Sequence, residues 1–181
     1  MDKSRVICCK RVIGLLVGIL FAVAGVSSRA AGAEKVYEKP SVFLSRHFGG
    51  VPKTRVLELS GADQKALHGI LGHRYKQKRV RYWQGGGKRA WILDEIGKTE
   101  PITAGFIVKG GRISELRVLI YRESHGWEVS RPFFTKQFAG AKLKGRGLSV
   151  RVDGIVGATL SVNALKKLGA AALYLDGQAG G

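Results

Sequence analysis

Gly110-Gly111 stands between two long strand-like runs, Pro101 to Lys109 and Arg112 to Tyr121, and it constrains the fold more than any other feature. A two-residue turn of this kind needs positive backbone φ at both positions, which glycine adopts without steric cost, and it forces the flanking runs to pair antiparallel. A second, weaker hairpin is expected just upstream. There Val80-Arg81-Tyr82-Trp83 and the run Ala90 to Leu93 are separated by Gly85-Gly86-Gly87.

Helical patterns flank this block. Ser60-Gly61-Ala62-Asp63 has the form of an N-cap with an acid three positions on, leading into Leu67, Ile70 and Leu71, and Gly72 is a fitting stop. Arg131 to Phe138 opens with Pro132, suited to a first helical turn, and places Phe133, Phe134 and Phe138 near one face. A longer apolar pattern runs from Val162 to Leu175, and the glycine-rich tail 177–181 is expected to be disordered. Glu34 to Pro52 mixes turn residues with Val42-Phe43-Leu44 and reads as an arm folding back on the domain. Strands in a block between helices, without strand–helix–strand alternation, predict an α+β fold: a single domain with a twisted, largely antiparallel sheet flanked by helices.

The first 33 residues do not belong to that domain. Lys3, Arg5, Lys10 and Arg11 precede an uncharged apolar stretch from Val12 to Val26, shorter than the roughly 20 residues of a membrane span. Ala31-Gly32-Ala33 then offers a small-x-small cleavage pattern. Residues 1–33 are thus expected to be a cleaved signal peptide and the protein to be periplasmic, with a retained N-terminal membrane anchor as the alternative.

Both cysteines, Cys8 and Cys9, lie in that leader. A chain starting at Glu34 would therefore have no disulfide, no thiolate metal site and no haem attachment motif. His68 and His73 are five apart, off the i, i+4 spacing of a helical ligand pair, and no metal site is expected. The 31 basic residues outnumber 13 acids, a net charge of +18, and +14 remains without residues 1–33. That balance favours anionic partners. Nucleic acid is not expected, because the leader points to export and no helix-turn-helix or RNP-like pattern occurs. No Ser-His-Asp or paired-carboxylate arrangement supports a hydrolase.

The most telling local motif is Asp153-Gly154-Ile155-Val156-Gly157-Ala158-Thr159-Leu160-Ser161, directly before the last helical pattern. It sets the Thr159 hydroxyl at a helix N-terminus, where open backbone N–H groups and the macrodipole favour a phosphate. Simple capping by Thr159 or Ser161 is the competing reading.

The motif resembles the flavinylation signature of the periplasmic FMN-binding domain family, found in the C subunit of the sodium-pumping NADH:quinone oxidoreductase and the G subunit of the Rnf complex. The order Tyr121-Arg122-Glu123-Ser124-His125-Gly126-Trp127-Glu128-Val129, then Gln137-Phe138-Ala139-Gly140, then the threonine motif is also similar to that family. The likeness covers about Ile92 to Leu175, so 92–176 is expected to be an FMN-binding core and 34–91 an N-terminal arm, helix and first strands. His125 departs from the family pattern.

The resemblance implies covalent FMN on Thr159 through a phosphoester, installed by a separate flavin transferase using FAD and Mg²⁺. It further implies Asp153, Gly157, Ala158 and Ser161 as the attachment motif. Glu123, Gly126 and Trp127 would lie beside the flavin, with Trp127 either stacked on it or packed in the core. The expected function is then an exported electron carrier rather than a catalyst with its own substrate, exchanging electrons with redox partners that could include a membrane protein. The alternative is a non-redox basic module that binds an anionic ligand or a membrane surface.

Overall fold

The computed structural model describes residues 34–180; the expected leader 1–33 lies outside the described residues. Six strands form one antiparallel sheet: β1 (Lys35–Val36), β2 (Arg55–Glu58), β3 (Arg79–Gly85), β4 (Lys88–Ile96), β5 (Pro101–Lys109) and β6 (Arg112–Tyr121), in the order β1-β6-β5-β4-β3-β2. Both expected hairpins are present, and Gly110 and Gly111 carry φ values of 57° and 68° at the tighter one. The fold is α+β, as the sequence predicts. β4 runs through residue 91, so the expected division between 34–91 and 92–176 falls inside a strand and marks no boundary in the sheet.

Period-two alternation on β5 sends Ile102, Ala104, Phe106 and Val108 to one face and Ile107 to the other. The first face packs on α2 (Gly61–Leu71) and α4 (Thr159–Ala179) to form the main core. The capping box expected at Ser60 and Asp63 is formed, and the other oxygen of Asp63 accepts the Tyr174 hydroxyl at 2.8 Å. That bond ties the start of α2 to α4. Alanines 164 and 170–172 line the buried stripe of α4, where small side chains let helix and sheet approach closely. Near its end Asp176 is buried but partnered, accepting from the indole N–H of Trp91 at 3.2 Å and from Arg89 at 3.4 Å.

The opposite face is covered by α1 (Pro40–Phe48), whose Phe43 and Leu44 pack on Ala90, Ile107 and Leu119. The segment expected to be an arm is therefore a strand and a helix. Its Lys39-Pro40 supplies the helix start rather than a turn, since proline's fixed φ suits the first helical position. A Cβ on Gly105 would stand 2.8 Å from the Phe43 ring, so glycine is what allows α1 to sit this close.

The Phe133–Phe138 region is a single α turn, α3 (Pro132–Thr135), continued as a 3₁₀ turn over Lys136–Phe138. Phe134 and Phe138 are buried edge to face at 5.6 Å, whereas Phe133 points to solvent, so the three do not share a face. A small hairpin, β7 (Leu143–Lys144) and β8 (Gly147–Leu148), follows. The expected disordered tail is corrected in part: α4 continues through Gly177 to Ala179. No helix among the described residues is long and apolar enough to cross a membrane.

Candidate functional site

Local backbone geometry fixes the start of α4. Gly157 adopts a left-handed φ of 81°, and the amide of Ala158 closes a turn on the carbonyl of Ile155 at 3.0 Å. The helix then begins at Thr159 with Ala158 as its N-cap, and no side chain caps it. Thr159 occupies the first helical position, one residue too late to serve as the cap, and its side chain is exposed. Ser161 is buried, and its hydroxyl is 2.9 Å from the Tyr121 hydroxyl. The competing reading of the motif, simple capping by Thr159 or Ser161, is therefore not what these residues do. An N-cap without a polar side chain forgoes about 1 kcal/mol of helix stability and leaves the amides of residues 159–161 open to an outside acceptor.

Those amides border a cleft of about 480 Å³ lined by Gly157, Ala158, Thr159, Leu160 and Ser161 on one side. Lys98, Thr99, Glu123, Ser124 and His125 form the other side. The volume falls within the range of small-molecule sites, about 300–1,000 Å³.

Tyr121 joins the two sides. Its hydroxyl donates to the carbonyl of His125 at 2.6 Å and, having one proton, accepts from Ser161. Burial pushes its pKa up against the opposing hydrogen bond to Ser161, so it stays a phenol at neutral pH. Gly126 completes this junction with a φ of 83°. A Cβ there would stand 3.0 Å from the Tyr121 hydroxyl and 3.1 Å from Ala158 Cβ, so the turn and the helix start touch only because both residues are small.

Glu123 holds the far wall. Its Oε1 accepts the backbone amides of Lys98, Thr99 (2.7 Å) and Glu100 (2.9 Å), and its Oε2 accepts the Thr99 hydroxyl at 3.2 Å. Burial acts to raise its pKa, but these donors outweigh burial and hold the carboxyl below the usual carboxylate range. The carboxylate thus organises the β4–β5 turn that carries Lys98 into the cleft.

Of the eight residues singled out from sequence, Gly157, Ala158, Thr159, Ser161 and Glu123 line the cleft, and Gly126 packs behind it. Asp153 and Trp127 do not line it. The Asp153 carboxylate pairs with Arg151 at 3.2 Å, and its amide donates to Gln137 Oε1 at 2.7 Å, which ties the Gln137–Gly140 segment to the loop before α4. Trp127 is partly exposed, with the Lys35 ammonium 5.4 Å and the Arg131 guanidinium 5.5 Å from its ring, so neither stacking in the cleft nor core packing describes it. His125 lines the cleft, with Nδ1 2.9 Å from the Ser124 hydroxyl.

Sequence reasoning missed Lys98, Thr99 and the bridging role of Tyr121. The first two lie in a short turn with no motif of its own. Tyr121 carried one usable signal, a large polar aromatic closing an apolar strand. Among the described residues no group of three His, Cys, Asp or Glu side chains is placed to hold a metal ion. The chain matches no protein-family model and no curated protein.

Proposed function

We propose that this protein is an exported electron carrier that holds FMN as a phosphoester on Thr159, attached by a separate flavin transferase. The observation that carries the reading is the uncapped start of α4: an exposed threonine hydroxyl beside open helix amides, at the mouth of a cleft of ligand size. A phosphate esterified to Thr159 would lie where those amides and the positive end of the helix dipole favour negative charge. Lys98, on the facing turn, adds a positive side chain to the same cleft.

The residues present fit the phosphate end of FMN well. For the ring, the cleft offers Gly157, Ala158 and Leu160 rather than an aromatic platform, because Trp127 stands outside it. In the attachment step, Thr159 Oγ forms a bond to the FMN phosphorus of FAD, the pyrophosphate bond breaks, AMP departs, and the threonine proton is released. The bound flavin supplies one- and two-electron chemistry. This chain supplies the leash, the electrostatics and the walls. A covalent link suits a compartment from which free flavin would diffuse away.

Coexpression with a flavin transferase tests the proposal. The purified protein should stay yellow after denaturation, and the peptide containing Thr159 should gain the mass of one FMN less one water. Thr159→Ala should be colourless, and Thr159→Ser, which keeps a hydroxyl, should retain some modification. An unmodified wild type under these conditions, or covalent flavin on Thr159→Ala, would refute it.

A further inference from the structure

We propose that the end of the domain bearing the cleft is a docking face for an anionic membrane surface, so that the cleft opens toward lipid headgroups. Leu160 and Lys98 line the cleft itself, whereas Val156, Ile96, Lys166 and Lys167 lie outside it, so the outer part of the face stays available when Thr159 carries flavin. Val156, in the loop before α4, is fully exposed at 104%, and Leu160 and Ile96 are each 50% exposed. Leu160 lines both the cleft and an adjoining depression of about 340 Å³ that also includes Ile96, Lys166 and Lys167. Three aliphatic side chains thus project at one end of a strongly basic molecule, with Lys98, Lys166 and Lys167 among them.

Of the nearby acids, Asp153 pairs with Arg151 and Glu95 is buried against His73 at 2.9 Å, while Glu123 keeps its negative charge among backbone amides at the cleft wall and leaves Lys98, Lys166 and Lys167 in excess. Glu100 lines neither depression. Among the described residues, Lys98 and Lys167 take part in no ion pair, while Lys166 donates to the Val152 carbonyl at 3.1 Å.

The chemistry of this face favours lipid over protein. Protein interfaces concentrate binding in Trp, Tyr and Arg and are depleted in lysine, whereas this face has aliphatic groups ringed by lysine. Aliphatic side chains that enter the acyl boundary beside lysines that stay at the headgroups are how a peripheral surface holds an anionic bilayer.

The chain from Glu34 onward, the mature form expected from the sequence, should bind vesicles of equal parts phosphatidylglycerol and phosphatidylcholine, weakly bind phosphatidylcholine alone, and lose the difference in high salt. Hydrogen exchange on the anionic vesicles should slow at 96–100 and 154–162 and stay unchanged at the β2 edge around Val56. Val156→Ser with Leu160→Ser should weaken partitioning about tenfold, and Lys98→Ala or Lys167→Ala about fivefold each. The same apolar removal elsewhere, Val42→Ser with Val56→Ser, should leave it unchanged.

Equal protection by both vesicle types, protection only on another face, or an equal loss in the control pair would overturn the proposal. Protection of these segments by polyglutamate but not by vesicles would overturn it too and assign the face to an acidic protein.

Discussion

Glu123 shows how one side chain can shape a site without belonging to its chemistry. Three amides and a hydroxyl converge on its carboxylate, and a Cβ on Gly97 would come within 2.8 Å of Oε1, so the turn is folded tightly around the charge. Because the folded protein holds this carboxyl more acidic than the unfolded chain does, the unfolded chain takes up the proton more readily. The stabilisation is complete above the ordinary value of 4.5 and is lost as pH falls through the lower folded value. The NMR amide signals of Lys98, Thr99 and Glu100 should therefore move together in acid, below pH 4.5. Glu123→Gln should show displaced signals already at neutral pH and no such titration. Identical titrations in the two proteins would rule out Glu123 as the latch.

Among the elements, β6 is the one whose irregularity positions the site. Its register with β5 slips twice: Ser114 is passed over between the Ile107–Glu115 and Val108–Ile113 pairs, and Leu119 between the Thr103–Ile120 and Ala104–Val118 pairs. Each extra residue reverses which side of the sheet the following side chains face. Leu116 and Val118 point to the main core, Leu119 turns to α1, and Tyr121 returns to the α4 side, where its hydroxyl meets Ser161. Without the second slip, the alternation of Leu116 and Val118 would have aimed Ile120 there instead.

On the other face α1 depends on a close approach. Gly105→Ala would drive a methyl into the Phe43 ring and should destabilise the domain by about 1–3 kcal/mol, read as a lower midpoint in urea. An unchanged midpoint would mean that α1 shifts freely.

These elements also mark what the sequence could reveal. The Gly110-Gly111 hairpin, the Ser60 capping box and the Gly157–Ser161 helix start are set by neighbours in the chain, so they were legible. Bulges, the cover provided by α1 and the two-residue β1 arise from contacts distant in sequence, which no local pattern carries. The position of Trp127 outside the cleft has the same origin. Its partners include Lys35, ninety-two positions away along the chain, and nothing in the Glu123–Glu128 segment announces it.

At the scale of the whole molecule, positive charge is spread widely, while the cleft, the open amides, three lysines and three of the seven exposed aliphatics gather at one end. The uncapped start of α4 leaves amides that water satisfies in the absence of another acceptor. Anything that supplies one binds the folded state and not the unfolded chain, so binding and melting are thermodynamically linked. For the unmodified protein, an anionic ligand at a hundred times its dissociation constant adds about 2.7 kcal/mol, a rise in Tm of about 5–10 °C for a domain of this size. Phosphate monoesters should raise the midpoint in this way while their neutral alcohols do not, and equal midpoints for the two would count against an anion at the helix start. The melting temperature of this protein is thereby a gauge of occupancy, able to rank ligands before any of them has been seen to react.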